Sequence, residues 1–135
     1  MPSDLGFEAM LPLTFDAAIE RVTEALKAEG FGVLTRIDVH DTLKKKIGAE
    51  FRPYAILGAC NPQLAYKALS AQSDVGLMLP CNVTVEAAGE GRSLVRIADP
   101  GMMMTVGSLG QVEALRQVGG EARERLQRVA AALSL

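Results

Sequence analysis

A run of apolar residues that halts at Cys60-Asn61-Pro62 and resumes at helical spacing leaves this chain few ways to fold. Tyr54 to Leu57 reads as a buried strand, and beyond the break Leu64, Ala65, Ala68 and Leu69 recur on one helical face. The break itself is chemically suited to start a helix. The Asn61 side-chain oxygen can accept one of the unpaired N–H groups of the first turn, and Pro62 suits the first helical position, where no N–H is needed. Cys60 is thereby placed at the mouth of a helix. A second Cys-Asn pair, Cys81-Asn82, follows Pro80, and these are the only two cysteines in the chain.

The rest of the sequence fits around that junction. Leu5 to Leu13 mostly alternates and predicts a first strand ended at Pro12. Thr14 then caps an amphipathic helix, with Phe15, Ala18, Ile19, Val22, Ala25 and Leu26 on the apolar side and Gly30 closing it. Phe31 to Ile37 reads as a second strand. Asp38 is placed to cap a short helix with Val39, Leu43 and Ile47 inward and Lys44, Lys45 and Lys46 outward, stopped by Gly48. Strand three covers Tyr54 to Ala59, and its helix ends at the polar break Gln72-Ser73-Asp74. Gly76 to Ala87 reads as one long strand disturbed at Pro80, which points to an edge, a bulge or a bend. Gly89-Glu90-Gly91 makes a hairpin turn into Ser93 to Ala98. Met102 to Gly110 reads as an irregular link. Val112, Leu115, Gly119, Ala122, Leu126, Val129 and Leu133 then form the narrow apolar seam of a long last helix. Gly119 and Gly120 each cost that helix about 1 kcal/mol against alanine, so something approaches closely there or the helix bends.

Mixed hairpin and crossover signals favour an α+β fold, a sheet of five strands with helices gathered on one face and the last helix across it, over a doubly wound parallel sheet. At 135 residues the default is one domain spanning 1–135. A net charge of −2 with interspersed signs gives no basic surface for nucleic acid. No apolar segment reaches the roughly 20 residues that span a bilayer, and the N-terminus lacks the pattern of a signal peptide. The expectation is a cytoplasmic protein with free thiols and no membrane or nucleic-acid partner.

Gly30 to Asp38, Phe51 to Ala65 with its Cys60-Asn61-Pro62, Leu79 to Val83 and Asp99-Pro100 together resemble the widespread bacterial and archaeal family catalogued as domain of unknown function 302. The resemblance runs over nearly the whole chain, and the doubled Cys-Asn motif makes it specific. It implies a fold like half of the TATA-box-binding protein, a curved antiparallel sheet with a long helix across it, and it implies homodimers. It implies neither DNA binding nor any activity or cofactor. The Met102-Met103-Met104 triplet and the glycines of the last helix depart from the family pattern.

The candidate ligand-binding residues are Cys60, Asn61, Cys81 and Asn82, on the expectation that both corners open onto one pocket. Each asparagine offers two donors and an acceptor for a small polar ligand. Two thiolates with a thioether from Met78, Met102, Met103 or Met104 would suit Cu(I), and two thiolates with His40 would suit Zn(II). Cys-x-x-Cys spacing is absent, which argues against thioredoxin-like exchange. As a nucleophile Cys60 would gain about 0.3–1 kcal/mol from the helix N-terminus, too little for activation without a cation, and Arg36, Arg52, Lys67 and His40 are the residues to supply one. Three readings stay open: a homodimeric protein binding a small ligand, soft metal or sulfur species; a thiol-dependent enzyme with Cys60 as nucleophile or redox centre; and a non-catalytic structural or regulatory module. The plain alternative for each residue is a small core thiol, a cap or a turn.

Overall fold

In a computed structural model that describes residues 4–134, the chain forms one five-stranded sheet and five α-helices. The strands are β1 (Gly6–Leu11), β2 (Gly32–Asp38), β3 (Tyr54–Cys60), β4 (Cys81–Ala87) and β5 (Ser93–Ala98). The helices are α1 (Phe15–Ala28), α2 (Val39–Ile47), α3 (Pro62–Ala71), α4 (Pro100–Met103) and α5 (Glu113–Leu133). The sheet is open, in the order β1-β5-β4-β3-β2, with every pair antiparallel. The expected α+β architecture is therefore present, long C-terminal helix included.

Its core is built from the alternation of the strands. Ala55, Leu57 and Ala59 of β3, Val83 and Val85 of β4, Val95 and Ile97 of β5 and Ala9 and Leu11 of β1 are all buried. They form one cluster with Ala18, Ile19, Val22, Ala25 and Leu26 of α1 and with Leu115, Ala122, Leu126 and Val129 of α5. Thr14 caps α1 by accepting from Ala17 N–H at 3.4 Å. Gly30, at φ +85°, ends it with its own N–H on the Lys27 carbonyl and that of Phe31 on the Leu26 carbonyl, a Schellman closure. The seam of α5 is buried from Leu115 to Leu133, with Val118 added to it. A Cβ on Gly119 would lie 3.0 Å from Met104 Cβ and 3.1 Å from the Pro100 carbonyl oxygen, so close approach of α4 is what that glycine permits, whereas Gly120 faces open space.

Three segments differ from expectation. Residues 76–87 do not form one strand: Ser73–Met78 is a 3-10 helix and β4 begins only at Cys81. Pro80 cannot donate to a ladder, and Val75 is fully buried by the turn that precedes it. The irregular link after Pro100 starts instead as α4, capped by Asp99, whose carboxylate accepts from Gly101 N–H at 2.9 Å. Asp99-Pro100 thus repeats the cap-then-proline order of Asn61-Pro62. Finally, α2 buries none of its residues, and Ile47 is 72% exposed. Asp38 does not cap it with its side chain, which takes Arg36 at 3.0 Å instead.

Candidate functional site

The two cysteines come together where the sheet meets α3. Cys81 opens β4 directly across from Ala59, so it lies one register step from Cys60, the last residue of β3. Alternation turns Cys81 to the helix side along with buried Val83 and Val85, and Cys60 sits where the chain leaves the sheet for α3. Asn61 caps that helix as its sequence predicts, its Oδ1 accepting from Leu64 N–H at 3.1 Å. It is also buried, at 8% exposure, and a Cβ added to Gly30 would come within 2.9 Å of its amide nitrogen. The end of α1, the mouth of α3 and the last turn of β3 are thereby fixed against one another.

Cys60, Asn61 and Cys81 line a cavity of about 330 Å³. Its other walls are almost wholly carbon: Leu64, Ala65 and Leu69 of α3, Val118 and Ala122 of α5, and buried Met104, with exposed Leu34 and Pro80 around the rim. Gly58, the residue before Ala59, is required here by packing, because a Cβ would run into the Thr35 side chain and lie 2.8 Å from Pro80 Cγ.

Asn82 is not part of this cavity. One residue on from Cys81, it projects to the opposite side of the sheet with Thr84 and Glu86, and pairs across the ladder with Gly58. A single pocket lined by two Cys-Asn corners is therefore not formed; it is lined by one complete corner and the thiol of the other.

Electrostatics favour protonated thiols. Burial pushes the Cys60 thiol up from its ordinary value. Burial pushes Cys81 up to about 11, and the neighbouring Cys60 adds to the rise. None of the four nominated cations lines the cavity. Arg36 is held by Asp38 at 3.0 Å and Arg52 by Glu86 at 2.8 Å. His40 Nδ1 accepts from the Tyr54 backbone N–H at 3.0 Å, with its ring edge-on to Phe15, and Lys67 borders a different groove. The activating cation that a thiolate nucleophile requires is absent from the cavity wall among the described residues.

The zinc set is incomplete, whereas two thiols and one thioether of the copper set line the same cavity. No three His, Cys, Asp or Glu side chains converge among the described residues, and His40 is not brought to the cysteines. Of the four methionines considered as thioether donors, Met104 alone lines this cavity. Met78 packs against the core, and Met102 and Met103 line another cavity. The apolar character of the walls escaped the sequence reading because Leu34, Val118 and Ala122 lie far from either Cys-Asn pair along the chain. The one available signal was the small residues Ala65, Ala68 and Ala122 facing each other on α3 and α5, which leave space between helices.

An open antiparallel sheet crossed by a long helix, with a carbon-walled cavity at its β3–α3 corner, defines the class of protein. The comparisons place it further: the profile of the family Domain of unknown function DUF302 matches residues 7–133. The chain belongs to that family. Among solved structures it is similar to the crystal structure of an uncharacterized conserved protein, DUF302, from Bacillus stearothermophilus. The two share 30% identity and a TM-score of 0.83 over 97% of this chain and 99% of that one. No curated protein matches the chain. No helix among the described residues is long and apolar enough to cross a membrane.

Proposed function

We propose that this protein binds a small, largely apolar molecule in the cavity lined by Cys60, Asn61 and Cys81, and that its thiols serve the ligand as weak polar contacts and not as nucleophiles. The observation that carries this reading is the cavity itself, about 330 Å³ with an almost entirely carbon wall. Ligand sites of this size are mostly apolar with a few placed polar groups, and here those groups are two protonated thiols and the edge of a capping amide. An apolar body displaces water from the wall at roughly 25 cal/mol per Å² buried. The neutral dye N-phenyl-1-naphthylamine, whose fluorescence rises in apolar surroundings, tests the proposal. We expect saturable binding at one dye per chain, loss of that binding in Ala65→Trp, which fills the cavity from α3, and slower alkylation of Cys60 when dye is bound. Binding that is unsaturable, or equal in Ala65→Trp, would overturn the reading.

A second copy of the chain belongs to the same proposal. β2 is an edge strand with most of its residues exposed, and Leu34, 68% exposed, belongs both to that edge and to the rim of the cavity. A partner strand laid along β2 would cover the free edge and complete the rim. Sedimentation of the protein and of Leu34→Glu tests this: a dimer that Leu34→Glu dissociates supports it, and a monomeric parent protein removes it.

A further inference from the structure

We propose that the opposite side of the sheet carries a second, independent site, built for a small uncharged molecule bearing carbonyl acceptors. A cavity of about 320 Å³ lies there, lined by Tyr54, Asn82, Thr84, Arg96, Met102 and Met103 among others. It shares no lining residue with the cavity around the cysteines. It is also where Asn82 goes, and it gives that residue and the departures at Met102 and Met103 a common place.

The leading observation is Thr84. Its hydroxyl oxygen is buried in the wall and has no hydrogen-bond partner among the described residues. A buried hydroxyl left unpaired works against folding, and valine would occupy the same strand position with a similar shape and no such cost. The Asn82 side chain, exposed at the same cavity, likewise has no hydrogen-bond partner among the described residues. Two polar side chains on alternate positions of β4, both of residues lining this cavity, are thus without hydrogen-bond partners among the described residues.

Charge identifies the ligand class. Arg96 donates through Nε to Glu8 at 2.8 Å and through Nη1 to Glu86, and Glu86 also holds Arg52 at 2.8 Å. Of the four only Arg96 lines the cavity, and its charge is already offset by the two carboxylates it holds, so an anion entering the cavity gains little net attraction. What remains is a surplus of donors. Arg96 has N–H groups beyond the two already used, Asn82 has two, and Thr84 can give one. Carbonyl oxygens answer that surplus, while Met102 and Met103 offer a soft apolar edge to the rest of the molecule. A cyclic amide combines both properties and fits the volume.

The test is a chemical-shift titration of the full chain with ε-caprolactam as the neutral probe and benzoate as the charged control. Saturable shifts at Thr84, the Asn82 side-chain amide and the Met102 and Met103 methyls are expected at about 10 mM lactam, the regime of a weak single-fragment site. Benzoate is expected to leave them unmoved. Thr84→Val should weaken lactam binding roughly tenfold, the loss of about one hydrogen bond to a neutral group, while leaving the melting temperature equal or higher. Asn82→Ala, an exposed position, should weaken binding without affecting folding. The proposal is overturned by unsaturable shifts, by equal binding to Thr84→Val, by benzoate binding as well as the lactam, or by shifts centred on Ala65 and Leu69 of the other cavity.

Discussion

The chain carries the same dipeptide twice, and the two copies have opposite fates. Cys60-Asn61 ends a strand and starts a helix, so its asparagine is buried, hydrogen-bonded to Leu64 and wedged beside Gly30. Cys81-Asn82 starts a strand, so strict alternation sends its thiol inward and its amide out to the other side of the sheet. The residue types are identical, and the backbone state of the asparagine decides what each pair does. In a helix cap the side chain is spent on the backbone, whereas in a strand it is left free for something else.

The largest effect that would break this arrangement comes from Gly58, which faces Asn82 across the ladder and lies just before the Cys60 corner. In Gly58→Ala the new methyl meets the Thr35 side chain and Pro80, so β2, β3 and the start of β4 must separate. Overpacking of this kind costs about 1–3 kcal/mol, and because the crowding atoms of Thr35 and Pro80 belong to two different segments the upper part of that range is expected. Urea unfolding measures it. The same variant should lose N-phenyl-1-naphthylamine binding, since Pro80 forms part of the cavity rim.

Next in size is Asn61→Ala. Loss of a cap costs about 0.5–2 kcal/mol, and burial of this one places it toward the top. Asn61→Asp keeps a cap acceptor and should recover part of the loss, provided its charge is accommodated beside Arg125, whose Nη1 already reaches the Glu29 carbonyl at 3.0 Å. Should Asn61→Ala unfold at the same denaturant concentration as the parent, the cap is not what holds the corner.

How much of this was legible beforehand follows the same division. The β3–α3 junction was readable because its signals are local: an apolar run, a cap and a proline within three residues. The hairpin at Gly89 and Gly91, both at positive φ, and the seam of α5 were readable for the same reason. The 3-10 helix at Ser73–Met78 was not, because Val75 is held by burial, and the polar Ser73 and Asp74 read as a break while Gly76 onward reads as the start of a strand. The inward set of α2 was misread since periodicity reports a face without saying that anything covers it, and there Ile47 meets solvent. The shared pocket failed at one residue for a stronger reason. Adjacent strand residues point to opposite sides, so once Cys81 faced inward, Asn82 could not.

The thiols give a prediction in pH. Both are raised above the ordinary thiol range by burial, Cys81 to about 11. A folded-state value above the unfolded one means that the unfolded chain releases its protons first as pH rises, so stability is complete below about pH 8.5 and declines from there toward pH 11. Cys81→Ser, with no thiol to titrate, should flatten that decline. Iodoacetamide labelling followed by mass spectrometry should show midpoints above 8.5 for both residues, with Cys60 modified ahead of the more deeply held Cys81. A Cys60 midpoint well below 8.5 would restore the nucleophile and break the assignment of both thiols to a passive wall.

The smallest expected effect is the most discriminating one. Asn82→Ala removes an exposed side chain that makes no hydrogen bond to the described residues, so its stability should stay within about 0.5 kcal/mol of the parent, the range of neutral surface changes. Set beside Asn61→Ala, it measures the comparison directly: two asparagines, each following a cysteine, one tied into the backbone and one left with its capacity unspent. If the Asn82 variant were as destabilised as the Asn61 variant, Asn82 would be holding the β4 entry in some way that alternation does not provide. If it is neutral while lactam shifts vanish, the side chain is retained for what it can bind, and the difference between the two copies is one of task as well as of place.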